Sequence, residues 1–145
     1  MGQLCSTASI SGNLAQCRTL VRKAVEAGAK VSCMLLFVTY ALCLTKSAIQ
    51  ALFLPEAADY IASSPAESVS LARPVQDNEF VLGLQSEARN GDLHINVGIH
   101  EPASDGRVKN TLIWIDNKGE ITQRYQKVHL FDVDIKGGPV LKESS

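Results

Sequence analysis

Chemistry in this chain would fall to a few residue types, and the spacing of several excludes more than it offers. The four cysteines stand at 5, 17, 33 and 43 with no C-x-x-C pair, which removes the common zinc and redox spacings. Cys5 and Cys17 read as small buried hydrophobes, while Cys33 and Cys43 fall within an unusual apolar stretch. His94 and His100 share one face of a predicted strand but lie six apart, beyond usual ligand spacing; they read as satisfied strand histidines rather than a metal pair. No metal or cofactor is expected. Met1-Gly2-Gln3-Leu4-Cys5-Ser6 fits an N-myristoylation pattern with Cys5 as a palmitoyl acceptor, and Ser63-Ser64 could take phosphate. A first strand and a capped helix account for the same residues. Glu56 closes the apolar run Ala51-Leu52-Phe53-Leu54-Pro55, and Lys127 sits in Tyr125-Gln126-Lys127-Val128-His129-Leu130-Phe131-Asp132. Taken alone, Glu56 is a cap or solvated loop residue and Lys127 a surface lysine.

The elements that must position these residues follow from periodicity. Leu14, Cys17, Val21, Ala24 and Val25 recur at helical spacing, which predicts a helix from Asn13 to Gly28, with Asn13 and Gln16 as a capping box. Gly28 suits the left-handed position that ends it. Before it, Gly2 to Cys5 reads as the tail of a strand. The run at 51–56 reads as a buried strand ending on proline. Ser64, Pro65 and Glu67 predict a short capped helix, and Asp77 is the predicted cap of another, in which Phe80, Val81, Leu84 and Ala88 share a face up to Asn90-Gly91. The period then changes to two. Leu93, Ile95, Val97 and Ile99 predict a strand, Thr111 to Asp116 a second, and Ile121 to Tyr125 a third across an Asn117-Lys118-Gly119-Glu120 turn. The order is an α/β layered pattern with an antiparallel part.

Composition sets the class. The chain has 145 residues, 14 Lys plus Arg against 15 Asp plus Glu, and 46% apolar residues, which is a single globular domain. Nothing forms a basic stripe, so nucleic acid is excluded as a main partner. No signal peptide precedes the cysteines, a disulfide scaffold is not expected, and a cytoplasmic location is the default. Residues 31–50 break the pattern. Val31 to Leu44 is mostly apolar without alternation, too short for a span of about 17–25 residues, and extending it to Gln50 takes in Lys46. Removing 31–50 joins 27–30 to 51–54 as an ordinary helix–turn–strand link. The favoured reading is a translated intron, since Val-Ser suits a GT donor, Gln50 a CAG acceptor, and twenty codons keep the frame. A membrane anchor, a natural insertion and a buried helix remain as alternatives.

The segments Phe53-Leu54-Pro55-Glu56-Ala57 and Tyr125 to Asp132, with Gly2-Gln3-Leu4-Cys5-Ser6-Thr7, Asn96-Val97-Gly98-Ile99-His100-Glu101 and Asn110-Thr111-Leu112, carry a resemblance. In this order the chain resembles the nitrilase (carbon–nitrogen hydrolase) superfamily in its Nit-type amidase branch, over the N-terminal half of the domain. The resemblance implies a partial, truncated α-β-β-α four-layer sandwich and a Cys-Glu-Lys mechanism through a thioester. It implies Glu56 as general base, Lys127 as the charge that stabilises the tetrahedral oxyanion, and Glu143, sixteen residues on, as the second glutamate that positions Lys127 and substrate. The family's nucleophilic cysteine follows the lysine, and none of the 145 residues beyond Cys43 is cysteine. No cysteine here can be carried over to that role, and the chain is read as inactive alone, with one apolar sheet face left exposed.

Three functions compete on this reading. The first is an amidase of small-molecule, non-peptide amides, of the deaminated-glutathione or ω-amidase kind, which would form homo-oligomers when intact. The second is a membrane-anchored protein using residues 31–44, although membrane contact is not favoured. The third is a non-catalytic subunit docking on a full-length homologue.

Overall fold

A computed structural model describes residues 3–28, 31–33, 51–136 and 140–142. Two helices and a mixed sheet make its core. α1 (Ile10–Glu26) starts three residues before the predicted Asn13, because Ser9 is the cap and its Oγ accepts from Gly12 N at 3.2 Å. Asn13 is buried inside the helix, and Gly28 takes φ +61° beyond its end. The predicted strand at Gly2–Cys5 is not formed over the described residues 3–5. There the Gln16 side-chain amide accepts from Cys5 N (3.2 Å) and donates to Cys5 O (3.1 Å), doing for that residue what a neighbouring strand would. Cys5 is accordingly exposed rather than buried, whereas Cys17 is buried as expected.

β1 (Val31–Cys33) opens a five-stranded sheet in which every strand lies beside its neighbour in sequence, completed by β2 (Ala51–Phe53), β3 (His94–Pro102), β4 (Val108–Ile115) and β5 (Ile121–Gln126). β1 to β3 run parallel and β3 to β5 antiparallel. Val31–Cys33 of the apolar stretch thus forms the edge strand, and residues 34–50 lie outside the described residues, as does the pattern at Met1-Gly2. α2 (Pro65–Leu71) is capped by Ser64, whose Oγ accepts from Glu67 N, while the Glu67 carboxylate reaches back to Ser63 rather than Ser64. Those hydrogen bonds from Ser63 hold the Glu67 carboxyl below the usual carboxylate range. α3 (Glu79–Gly91) is capped by Asn78, one residue past the predicted Asp77, because Asp77 is taken up by a 3-10 turn at Val75–Asp77. β6 (Asp132–Asp134) and β7 (Val140–Lys142) pair as a separate two-stranded ribbon.

One sheet face is closed by helices. Leu52, Ile95, Val97, Ile99, Ile113 and Ile115 pack with Leu14, Cys17 and Val21 of α1 and with Phe80, Val81, Leu84 and Ala88 of α3. Period two in the strands and 3.6 in the helices put all of them on facing surfaces. Arg18 and Glu87 tie the helices together at 3.2 Å. The opposite sheet face carries Phe53, Trp114 and His94, with the Phe53 and Trp114 rings edge-on at 5.6 Å and Trp114 Nε1 donating to His94 Nδ1 at 3.2 Å. Leu112 and Tyr125 stand exposed beside them. No helix among the described residues is long and apolar enough to cross a membrane.

Candidate active site

The backbone carries Glu56 to its place. After β2 the chain stays in register with β3 by Leu54 N to Asn96 O (2.8 Å), then folds back over Gly98. Gly98 N donates to Pro55 O (3.3 Å), and Gly98 O accepts from Ala58 N (3.1 Å). A Cβ at position 98 would stand 2.7 Å from Glu56 Cα, so only glycine lets the two backbones meet here. Immediately after Glu56, Ala57 holds φ +54°, a left-handed conformation that costs a non-glycine residue on the order of 1 kcal/mol or more. The surrounding bonds to β3 hold it there.

Lys127 arrives from the other side of the sheet. β4 and β5 pair Thr111 with Gln126, and the next residue, Lys127, donates its N–H to Asn110 O at 2.9 Å. Its Nζ lies 2.8 Å from Glu56 Oε1, although the two residues are 71 apart in sequence. Asn110 Nδ2 donates to the same Oε1 at 2.6 Å. Asn110 therefore holds Glu56 through its side chain and Lys127 through its backbone. Glu56 is more than half exposed, so the pair adds about 1 kcal/mol of stability at most. A carboxylate and an ammonium in contact on a pinned loop are instead arranged as a proton acceptor beside a fixed positive charge.

Three residues on from Glu56 lies a second, quite different carboxylate. Asp59 is fully buried. Its Oδ2 accepts from His100 N (2.7 Å), and its Oδ1 accepts from Tyr60 N (2.9 Å) and meets His100 Nδ1 at 2.9 Å. Asn13 Nδ2 ties the Asp59 carbonyl and the Thr7 carbonyl to α1, at 2.9 and 2.7 Å. The Tyr60 ring stacks on His100 with centroids 4.5 Å apart, and burial pushes the Tyr60 hydroxyl up to about 12. Both rings face an open cleft of about 860 Å³ bounded by the loop into α2, the turn before β4, Asn110 and Leu130.

The structure brings Glu56 and Lys127 together; Glu143 lies outside the described residues, as does Cys43. Cys17 is buried among core residues, which pushes its thiol up to about 12 and makes it a poor nucleophile. His94 and His100 each have a side-chain partner, and no cluster of metal-ligating side chains occurs among the described residues. Sequence reasoning gave no role to Gly98, Asn110 or Asp59. The first two fall inside segments that carried the family resemblance. A lone aspartate in Ala57-Ala58-Asp59-Tyr60-Ile61 was the signal for the third, because an acid among apolar neighbours is either exposed or bonded on all sides.

A mixed α/β sheet with helices on one face and a carboxylate–lysine pair at its edge defines a class of fold and site, and the comparisons give it a family. The carbon–nitrogen hydrolase family model matches residues 1–145, and the chain belongs to that family. It is 34% identical over 147 residues to the protein of Schizosaccharomyces pombe called "Probable hydrolase nit2", covering 100% of this chain and 46% of that one. It is 32% identical to the deaminated glutathione amidase of Mus musculus, covering 99% of this chain and 39% of the relative. The chain thus spans less than half the length of these curated relatives. Among solved structures, the Caenorhabditis elegans NitFhit protein superposes with a TM-score of 0.75 at 26% identity, covering 99% of this chain and 30% of that one. An amidase from Nesterenkonia sp. shares the fold with a TM-score of 0.65 at 20% identity, covering 90% of this chain and 42% of that one.

Proposed function

We propose that this chain supplies the base-and-lysine part of an amidase site that hydrolyses small, non-peptide amides, of the kind cleaved by deaminated glutathione amidases or ω-amidases. The observation that carries this reading is the 2.8 Å contact between Lys127 Nζ and Glu56 Oε1, held on both sides by Asn110. In this reading Glu56 takes the proton of a cysteine thiol as the sulfur attacks the amide carbon. Lys127 stabilises the oxyanion, ammonia leaves with the proton from Glu56, and Glu56 then activates the water that opens the thioester. Glu143 would orient Lys127 and the substrate. The nucleophile in this family is a cysteine beyond the lysine, and residues 128–145 contain none, so the 145-residue chain alone should release no ammonia from any amide. A burst of ammonia from it would mean another nucleophile and a different mechanism.

The test is this chain, made both with and without residues 31–50, extended by the C-terminal part of the S. pombe relative. It should hydrolyse ω-amides, and Glu56→Gln and Lys127→Ala should each lower kcat/KM by roughly a hundredfold to a thousandfold. Near-unchanged turnover in either variant would remove that residue from the mechanism. This reading places the protein in the cytoplasm, with homo-oligomers formed by an intact member of the family.

A further inference from the structure

Two donors converge on one oxygen of Glu56. Lys127 Nζ stands 2.8 Å from Oε1, and Asn110 Nδ2 donates to the same atom at 2.6 Å. Among the described residues both hydrogen bonds to this carboxylate end on Oε1, and none ends on Oε2. An ionised carboxylate has lone pairs on both oxygens, so placing both donors on one sets the two apart. Oε1 is the held atom, and Oε2 is the one left to accept a proton. The donors also differ in footing. Lys127 brings its charge on a flexible four-carbon stem from the segment after β5. Asn110 lies within β4, where pairing with β3 sets it directly opposite His100. His100 is fixed in turn: its N–H donates to Asp59 Oδ2 at 2.7 Å, its Nδ1 meets Asp59 Oδ1 at 2.9 Å, and the Tyr60 ring stacks on it. Asp59 lies three residues past Glu56, so the loop is tied to β3 through Asp59 and met again from β4 by Asn110. The Asn110 amide is neutral, and it orients the carboxylate without adding charge beside it.

We propose that Asn110 is the positioning residue of this site: its amide, with Lys127, holds Glu56 by Oε1 and presents Oε2 as the oxygen that moves the proton. The proposal rests on the amidase reading and deepens it. In the first step the thiol proton passes to Oε2 as the sulfur–carbon bond forms. It then leaves Oε2 for the amide nitrogen as the carbon–nitrogen bond breaks and ammonia departs. In the second step water gives a proton to Oε2 as its oxygen joins the thioester carbon, and that proton returns to the departing sulfur. Asn110 touches none of the reacting atoms. Without it the carboxylate can turn, which costs alignment in the transition state and leaves substrate binding alone.

The contact is read first on the full 145-residue chain, without turnover. In 15N–1H NMR spectra the Asn110 side-chain amide should carry one downfield proton, the one bonded to the carboxylate. Glu56→Gln should move that signal upfield, and Lys127→Met should leave it downfield. A signal that Glu56→Gln does not move would overturn the proposal. Turnover is read next, in the chain extended by the relative's C-terminal part. Asn110→Ala should lower kcat about tenfold and keep KM within about twofold. Asn110→Asp keeps the shape but replaces the donor with a second carboxylate, and should lower kcat further. Both variants leave the bond from Lys127 N to Asn110 O in place, because it is made by the backbone. In a Glu56→Gln background Asn110→Ala should cost no more than about a further twofold, since no proton-moving oxygen is left to aim. An asparagine with a merely structural role would cost its full factor in both backgrounds. Unchanged kcat in both Asn110 variants, a loss confined to KM, or fully additive losses in the double variant would each overturn the proposal. Failure of the amidase reading appears elsewhere, as turnover that survives Glu56→Gln alone.

Discussion

Two segments deliver the paired charges, and they are built in opposite ways. Residues 51–60 are clamped between β3 and the helices. Leu52 is fully buried, Leu54 and Ala58 nearly or wholly so, and three backbone hydrogen bonds to Asn96 and Gly98 fix the path on which Glu56 sits. Most of residues 125–132 lie open. Tyr125, Val128 and Phe131 are 57%, 70% and 61% exposed, and the Lys127 N–H donates to Asn110 O. The difference teaches that the backbone beneath Glu56 belongs to the folding core although its carboxylate stands 56% exposed, while Lys127 comes to it from a more open segment beside Asn110. Energy lost in the first region should appear as stability. Energy lost in the second should appear as chemistry.

The largest test of that division is Asp59→Ala. It strips a buried acceptor from His100 N, Tyr60 N and His100 Nδ1 at once, leaving those donors without their partner. Urea unfolding should show a loss of about 4 kcal/mol, with Asp59→Asn milder. A loss under about 1 kcal/mol would mean that water replaces the carboxylate and that the first segment is less closed than the geometry indicates. Next comes a matched pair of truncations. Leu52→Ala should cost about 3 kcal/mol, because it opens a cavity under β2. Phe131→Ala, a larger side chain, should stay within about 0.5 kcal/mol. Similar losses at both positions would break the comparison outright.

What could be read in advance follows the same line. α3 and β3 follow from periodicity, since Phe80, Leu84, Ile95, Val97 and Ile99 repeat with one period per element and bury as a set, and β4 and β5 follow from the turn residues 117–120 between them. Boundaries moved where several capping residues compete: Ser9 displaced Asn13, and Asn78 displaced Asp77. The first strand failed because Gln16, eleven residues away, satisfies the Cys5 backbone, a tertiary contact that no local pattern encodes. The site divides in the same way. The family segments pointed to Glu56 and Lys127, which the structure brings into contact, whereas Asp59 had to be seen bonded before its burial made sense. Asn13 shows why: the residue that looked like a cap is instead a buried link from α1 to Thr7 and Asp59.

A smaller effect separates core from rim by pH. The Cys17 thiol is raised from 9.0 to about 12 by burial, so the folded chain keeps that proton after the unfolded chain has lost it. Between those values the unfolded state binds fewer protons, and stability falls as pH rises; the contribution is complete below about 9 and lost toward about 12. At pH 10 the loss should be about 1.4 kcal/mol, and Cys17→Ala should flatten that part of the stability–pH curve. Iodoacetamide at pH 8 should label the exposed Cys5 and spare Cys17, which peptide mass mapping reads directly. Equal labelling would mean that α1 detaches from the sheet in the native state.

The smallest expected change in stability belongs to the residue placed nearest the chemistry. Lys127→Met removes the ammonium while keeping most of the stem, and leaves the backbone bond to Asn110 O in place. The ion pair it breaks is with a carboxylate 56% exposed, so thermal or urea unfolding should move by no more than about 0.5 kcal/mol. The Glu56 side chain still has Asn110 Nδ2, which should keep its rotamer. A loss as large as that of Leu52→Ala would make Lys127 a structural tie and remove the argument that the open segment serves chemistry. A silent stability change with abolished turnover in the extended chain would place the lysine's whole contribution in the transition state, as the contrast between the two segments requires.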